Sequence, residues 1–164
     1  MATLDPALTE FLTSGVVLGA ASRDARLVPE VVRPTGIRVE PGGEEVTVFL
    51  PAATAAAMLK NLEDNHRLAV VASDAQDNRS VQLKGAVVEI RPGREDERPL
   101  VDQYRAQFAR MLEPLGVPRA VVLRIQNWPA VAVRFRVEAV FLQTPGPAAG
   151  QPFQAPLRSP EPRA

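Results

Sequence analysis

Ser80, Gln82 and Lys84 occupy alternate positions of the run Ser-Val-Gln-Leu-Lys-Gly, so in a strand they share one face and Val81 and Leu83 share the other. A hydroxyl, an amide and an ammonium in one row suit the amide edge of a ring or a phosphate; a plain solvated sheet face fits the same pattern. Gly85 beside them leaves room for another backbone or for a ligand. A second candidate is Leu50-Pro51-Ala52-Ala53-Thr54, where an extended run leads into a helix N-terminus. Free N–H groups and the positive dipole end favour an anion there, and the small alanines keep the approach open. Arg33, beside the break Pro34-Thr35-Gly36, can grip the same anion through its planar fork, and Arg38 lies just past that break. For both arginines a surface ion pair is the alternative.

Composition removes other chemistries. The chain has 164 residues with 19 basic and 19 acidic side chains, so it lacks the cation excess that a nucleic-acid backbone requires. It has no Cys and one His, which excludes thiolate metal sites, thiol nucleophiles and disulfides and gives no metal site. The single His66 follows a helix end and reads as a partner of the C-terminal dipole. No catalytic acid–base set is evident. No apolar run reaches the roughly 18 residues that span a bilayer, and no basic segment with an apolar core opens the chain. The expectation is a cytoplasmic protein that takes a small-molecule substrate, without nucleic acid or membrane as partner.

Periodicity then places the elements. A helix is expected over 2–13, capped by Thr3 or Asp5, and strands at 16–21, 27–33, 37–40 and 46–50, with a turn at 41–44. Ala55, Met58, Leu59 and Leu62 mark a helix with Thr54 as N-cap, followed by strands at 67–73 and 80–90. Residues 91–98 read as an exposed charged loop. Val101, Tyr104, Phe108, Met111 and Leu112 form the apolar face of a further helix, with Arg105 on its other face. Residues 120–125 suit a strand or a helical turn, and 131–142 are a strand. Trp128 suits core packing or an aromatic lid. Residues 145–164 carry six of the 16 prolines and no periodicity, so the reading is a domain over 1–144 and a Pro-rich tail over 145–164, and deletion of 147–164 is expected to leave folding intact. Six or seven strands with helices inserted singly disfavour parallel βαβ order and predict a mainly β, antiparallel barrel with added helices.

In order and spacing, the segments from about residue 8 to 145 resemble the FMN-binding split-barrel family typified by pyridoxamine-phosphate oxidase. The resemblance rests on the Arg33 strand, the 46–50 strand, the helix ending Glu63-Asp64-Asn65, Ser-Val-Gln-Leu-Lys-Gly at 80–85 and Phe-Leu-Gln at 141–143. It implies a split barrel and a homodimer with FMN at the subunit interface. By position it assigns Arg33, with Arg38 near the same segment's basic end, to the phosphate, Leu50, Pro51 and Thr54 to the flavin ring and ribityl chain, and Ser80, Gln82 and Lys84 to one flavin-contacting face. The family's serine and lysine at the start of the central helix are here Ala55-Ala56-Ala57-Met58, and its closing substrate segment is Leu142-Gln143-Thr144-Pro145-Gly146-Pro147, which makes oxidation of pyridoxamine phosphate itself doubtful. The resemblance implies a flavoprotein oxidoreductase passing hydride or electrons from a nicotinamide-type donor. The alternative is a non-catalytic dimeric binding module of the same fold with its cofactor lost or exchanged for haem or a deazaflavin.

Overall fold

The computed structural model describes residues 2–153. Helix α1 (Pro6–Thr13) starts where Asp5 accepts a hydrogen bond from Leu8 N at 2.7 Å and Pro6 takes the first turn. Strands β1 (Val17–Arg23), β2 (Pro29–Val32), β3 (Gly36–Val39) and β4 (Glu45–Pro51) follow, then α2 (Ala56–Asn65), β5 (Arg67–Ser73), β6 (Ser80–Pro92), α3 (Arg98–Leu112), the short α4 (Arg119–Val122) and β7 (Ala130–Leu142). Residues 119–122 are therefore a helical turn, the element that periodicity left open.

All seven strands form one antiparallel sheet in the order β2-β1-β5-β6-β7-β4-β3. The two edges, β2 and β3, are consecutive in the chain and joined only by Arg33, Pro34 and Thr35. Six strand spacings laid flat would separate these edges by about 29 Å, whereas the four Cα links from Val32 to Gly36 reach at most about 14 Å. The sheet must therefore curl until its edges meet, which is the split-barrel architecture. At the join, Thr35 donates its N–H and its hydroxyl to the Phe49 carbonyl, at 2.7 and 3.2 Å.

The curled sheet encloses Val46, Val48, Leu50, Leu83, Val133 and Phe135. Met58 and Leu62 of α2 and Leu8 and Leu12 of α1 join that core, and each such side chain contributes about 1.5–3 kcal/mol by leaving water. Trp128 packs in a separate cluster with Phe49, Val101 and Ala130, and its indole N–H donates to Glu95 at 3.1 Å. It is a packing residue. No described helix is long and apolar enough to cross a membrane.

Three local expectations are corrected. Thr54 does not cap α2: the N-cap is Ala55, without a side-chain cap bond, because Thr54 is spent in a turn in which its N–H reaches the Pro51 carbonyl at 3.1 Å. The 91–98 segment is not a free loop. It contains a 3-10 turn, Glu95–Glu97, and Glu97 is 3% exposed. Its carboxylate accepts from Arg91 at 2.7 and 2.8 Å, from Arg38 at 3.1 Å and from the Arg94 N–H at 3.0 Å, tying the start of α3 to β3 and β6. These donors hold its pKa at about 2, below its ordinary 4.5. Third, the first part of the expected tail docks. Beyond Arg136 the second edge of β7 has no β4 partner, and Phe153 N–H donates to the Val140 carbonyl at 2.8 Å while Leu142 N–H donates to Gln151 at 2.9 Å. Of the tail, residues 154–164 lie outside the described residues.

Gly85 leaves room for a backbone, not a ligand. At the register shift between Lys84 and Gly85, a Cβ on Gly85 would overlap the Arg136 carbonyl oxygen. Gly85→Ala is expected to cost about 3 kcal/mol or more, read as a lower urea midpoint. Glu97→Gln is expected to cost about 2–3 kcal/mol at neutral pH, since the arginines it strands keep some contact with water. Because the Glu97 pKa is lowered on folding, its stabilisation is complete above the unfolded value of 4.5 and fades as pH falls towards about 2. The difference in urea midpoint between wild type and Glu97→Gln should therefore shrink across that window.

Candidate functional site

Where the two sheet edges meet, a cavity of about 530 Å³ opens between the 33–35 bend, the turn from β4 into α2, and a wall built by α3 and α4. Its surface is mostly apolar, contributed by Val32, Tyr104, Phe108, Val122 and Ile125, with a few polar groups among them. This combination suits a planar organic molecule bearing an anion.

Arg33 puts a guanidinium on one side of this cavity. The guanidinium carbon sits 4.0 Å from the centroid of the Phe108 ring, so the planar cation lies against an aromatic ring. Such stacking engages the face of the group and leaves its in-plane N–H donors available. Among the described residues Arg33 has no carboxylate partner, unlike Arg38, Arg67, Arg79 and Arg91. Phe108 is itself held by Tyr104, whose ring lies 6.0 Å away at 11°, and Tyr104 is fixed by donating its hydroxyl to the Val16 carbonyl at 2.7 Å. Burial pushes the Tyr104 pKa well up, so its hydroxyl stays protonated and serves as a strut.

The turn leading into α2 supplies the second donor set. Pro51, Ala53 and Thr54 line the same cavity as Arg33. Among the described residues no side chain caps α2, and the helix dipole places its positive end at that turn. Ala55, Ala56 and Ala57 place no side chain where a capping acid would compete for those donors.

Of the residues singled out from the sequence, the cavity unites Arg33, Pro51 and Thr54. The other five lie elsewhere. Leu50 is fully buried in the barrel core. Arg38 is taken by Glu40 at 2.9 Å and Glu97 at 3.1 Å. Ser80 is buried, its hydroxyl bonded to Ser73 at 2.8 Å and its N–H to Thr144 at 3.0 Å. Gln82 pairs with Val71 and Phe141 across the ladder, and Lys84 Nζ lies 4.9 Å from the Phe141 ring centroid. Lys84 does belong to a cross-strand row that continues through Ala69 and Ala21 to Val31 at the lip of the cavity. Three strand spacings, about 14 Å, separate the ends of that row.

Sequence reasoning missed the α3–α4 wall. Tyr104 and Phe108 carry the pattern of an ordinary amphipathic core face, and nothing in that pattern distinguishes a residue that packs from one that also lines a cavity. Asn127 stands in an aperiodic stretch with no motif around it. Arg105, which donates to the Leu123 carbonyl at 3.4 Å and to Asp102 at 3.0 Å, is the residue that ties the 123–127 segment to α3.

No family model matches the chain, and neither does any curated protein. Solved structures do. An FMN-binding protein from Syntrophomonas wolfei superposes with a TM-score of 0.53 at 7% identity, covering 83% of each chain. An F420 reductase gives 0.52 at 15% identity, covering 84% of this chain and 98% of that one. A candidate pyridoxamine 5'-phosphate oxidase from Lactobacillus delbrueckii gives 0.50 at 16% identity, covering 86% and 99%. Together with the seven-stranded curled sheet, these likenesses show that the chain has the split-barrel fold of the pyridoxamine-phosphate oxidase-like proteins.

Proposed function

We propose that the protein binds FMN in the cavity at the barrel seam and acts as an oxidoreductase, passing hydride or electrons between a nicotinamide-type donor and a small acceptor. The observation that carries this reading is Arg33: an arginine without an acid partner among the described residues, stacked on Phe108 and lining one cavity with Pro51, Ala53 and Thr54 of the turn that leads into α2. That donor set suits a terminal phosphate, and the aromatic and aliphatic walls suit a flat ring. The likeness to an FMN-binding protein supports the same reading.

When bound, the flavin supplies the two-electron chemistry. The chain's own residues bind and orient it. Arg33 and the α2 N–H groups hold the anionic end, Tyr104 fixes Phe108, and the α3–α4 wall excludes water from the apolar side. Tyr104 keeps its proton at neutral pH, and His66 sits at the far end of α2.

The reading includes a homodimer with the cofactor at the interface. Gln82 and Lys84 lie on the outer sheet face, apart from their own chain's cavity, beside the small residues Ala21 and Ala69. In a dimer joined through that face they serve the partner's site. A deazaflavin in the same cavity is the second reading, supported by the likeness to an F420 reductase.

Titration with FMN, riboflavin and F420, followed by fluorescence quenching, tests the proposal. FMN is expected to bind at least about tenfold more tightly than riboflavin, since charge-assisted hydrogen bonds to its phosphate are worth about 1.5–3 kcal/mol. Arg33→Ala should erase most of that gap while leaving riboflavin affinity nearly unchanged. Native mass spectrometry should give two chains with two FMN. No uptake of FMN, or equal affinity for FMN and riboflavin, overturns the assignment, and tighter uptake of F420 replaces it with the second reading.

A further inference from the structure

Asn127 lines the cavity, yet it is only 7% exposed. Its backbone carbonyl accepts from the Thr35 hydroxyl at 3.5 Å, so its position is set by the same residue that anchors the barrel seam. Among the described residues no hydrogen bond engages its side-chain amide, and neither amide atom is sealed away from the space it lines. A side-chain amide offers two donors and an acceptor side by side, and this one presents them to whatever fills the cavity. Gln126 next to it donates to the Trp128 carbonyl at 3.4 Å, so among the described residues Asn127 is the amide of this wall that no protein group engages.

The chemistry of the missing partner follows from that pair of atoms. A carboxylate would satisfy the amide N–H and leave its oxygen unpaired, and an ammonium would do the reverse. A group with N–H and C=O side by side satisfies both. We infer that Asn127 is a specificity-determining residue that reads an imide or carboxamide edge of the ligand through a donor–acceptor pair. The identity of that ligand rests on the flavin reading above: the ring imide of a flavin carries this edge, and so does the carboxamide of a nicotinamide donor.

Binding measurements on the full-length protein separate the two sources and test the inference without relying on turnover. The probes are FMN, lumiflavin, 3-methyllumiflavin and NADH, each titrated against wild type, Asn127→Leu and Asn127→Asp. The Asp variant keeps the side-chain size, so it carries the test if the Leu variant fails to fold. For a flavin imide, both variants should bind FMN and lumiflavin about tenfold more weakly. Wild type should also lose affinity for 3-methyllumiflavin, whose imide N–H is blocked, and the variants should add nothing to that loss. If NADH alone weakens on substitution, the inference stands with the nicotinamide as its ligand. FMN and NADH binding equally to all three proteins overturns the role of Asn127 and leaves the flavin assignment intact. NADH binding that depends on Asn127, with no FMN uptake by wild type, overturns the flavin assignment alone. No binding by any probe overturns both.

Discussion

A short covalent link governs this molecule. The two edge strands of a seven-stranded sheet, β2 and β3, are joined by Arg33, Pro34 and Thr35, a span too short to bridge the edges of a flat sheet. Curling brings the edges together, and the double hydrogen bond from Thr35 to the Phe49 carbonyl fixes the join. Everything of functional interest gathers at that seam. Arg33 is part of the link, Pro51 to Thr54 follow the strand that Thr35 is tied to, and Asn127 rests on Thr35 from the other side.

Two devices keep the seam's surroundings rigid. One is polar: Glu97, buried under Arg38 and Arg91, ties the start of α3 to the sheet. An unpaired carboxylate at that depth would be strongly disfavoured, so each arginine is needed to keep it charged. The other is steric. Gly85 lets β7 press its Arg136 carbonyl against β6, and the resulting register shift bends both strands where the barrel turns. The α3 helix then presents Tyr104 and Phe108 as one wall of the cavity, and Phe108 in turn holds Arg33.

The contrast between Arg33 and Arg38 shows how a site is separated from its scaffold. Five residues and one bend apart, they carry the same group. Arg38 meets two carboxylates and becomes structural, whereas Arg33 meets an aromatic face and keeps its donors. A guanidinium stacked on a ring is held in place without being neutralised, which is the state an anion-binding residue needs.

The sequence by itself determined the parts whose information is local. Apolar and β-branched runs bounded by turn residues, with alternation at 80–84 and 131–137, located the strands, helical spacing located α1, α2 and α3, and Pro34 and Gly36 marked the bend. Arg33, Pro51 and Thr54, which line one cavity, were legible as candidates because a strand leading into a helix offers donors wherever it occurs. The tertiary structure decided which chemically similar residues meet. Period 2 put Ser80, Gln82 and Lys84 on a common face, but whether that face looks into a cavity depends on the curl of the sheet, and within one chain it does not. Glu97 read as solvated because Arg38, which closes over it together with the neighbouring Arg91, comes from a strand far away in the chain, and Asn127 was invisible because an aperiodic stretch gains meaning only from what packs around it. Local pattern reflects short-range sterics and burial; cavities and ion clusters arise from contacts between residues distant in the chain, which no window of sequence contains.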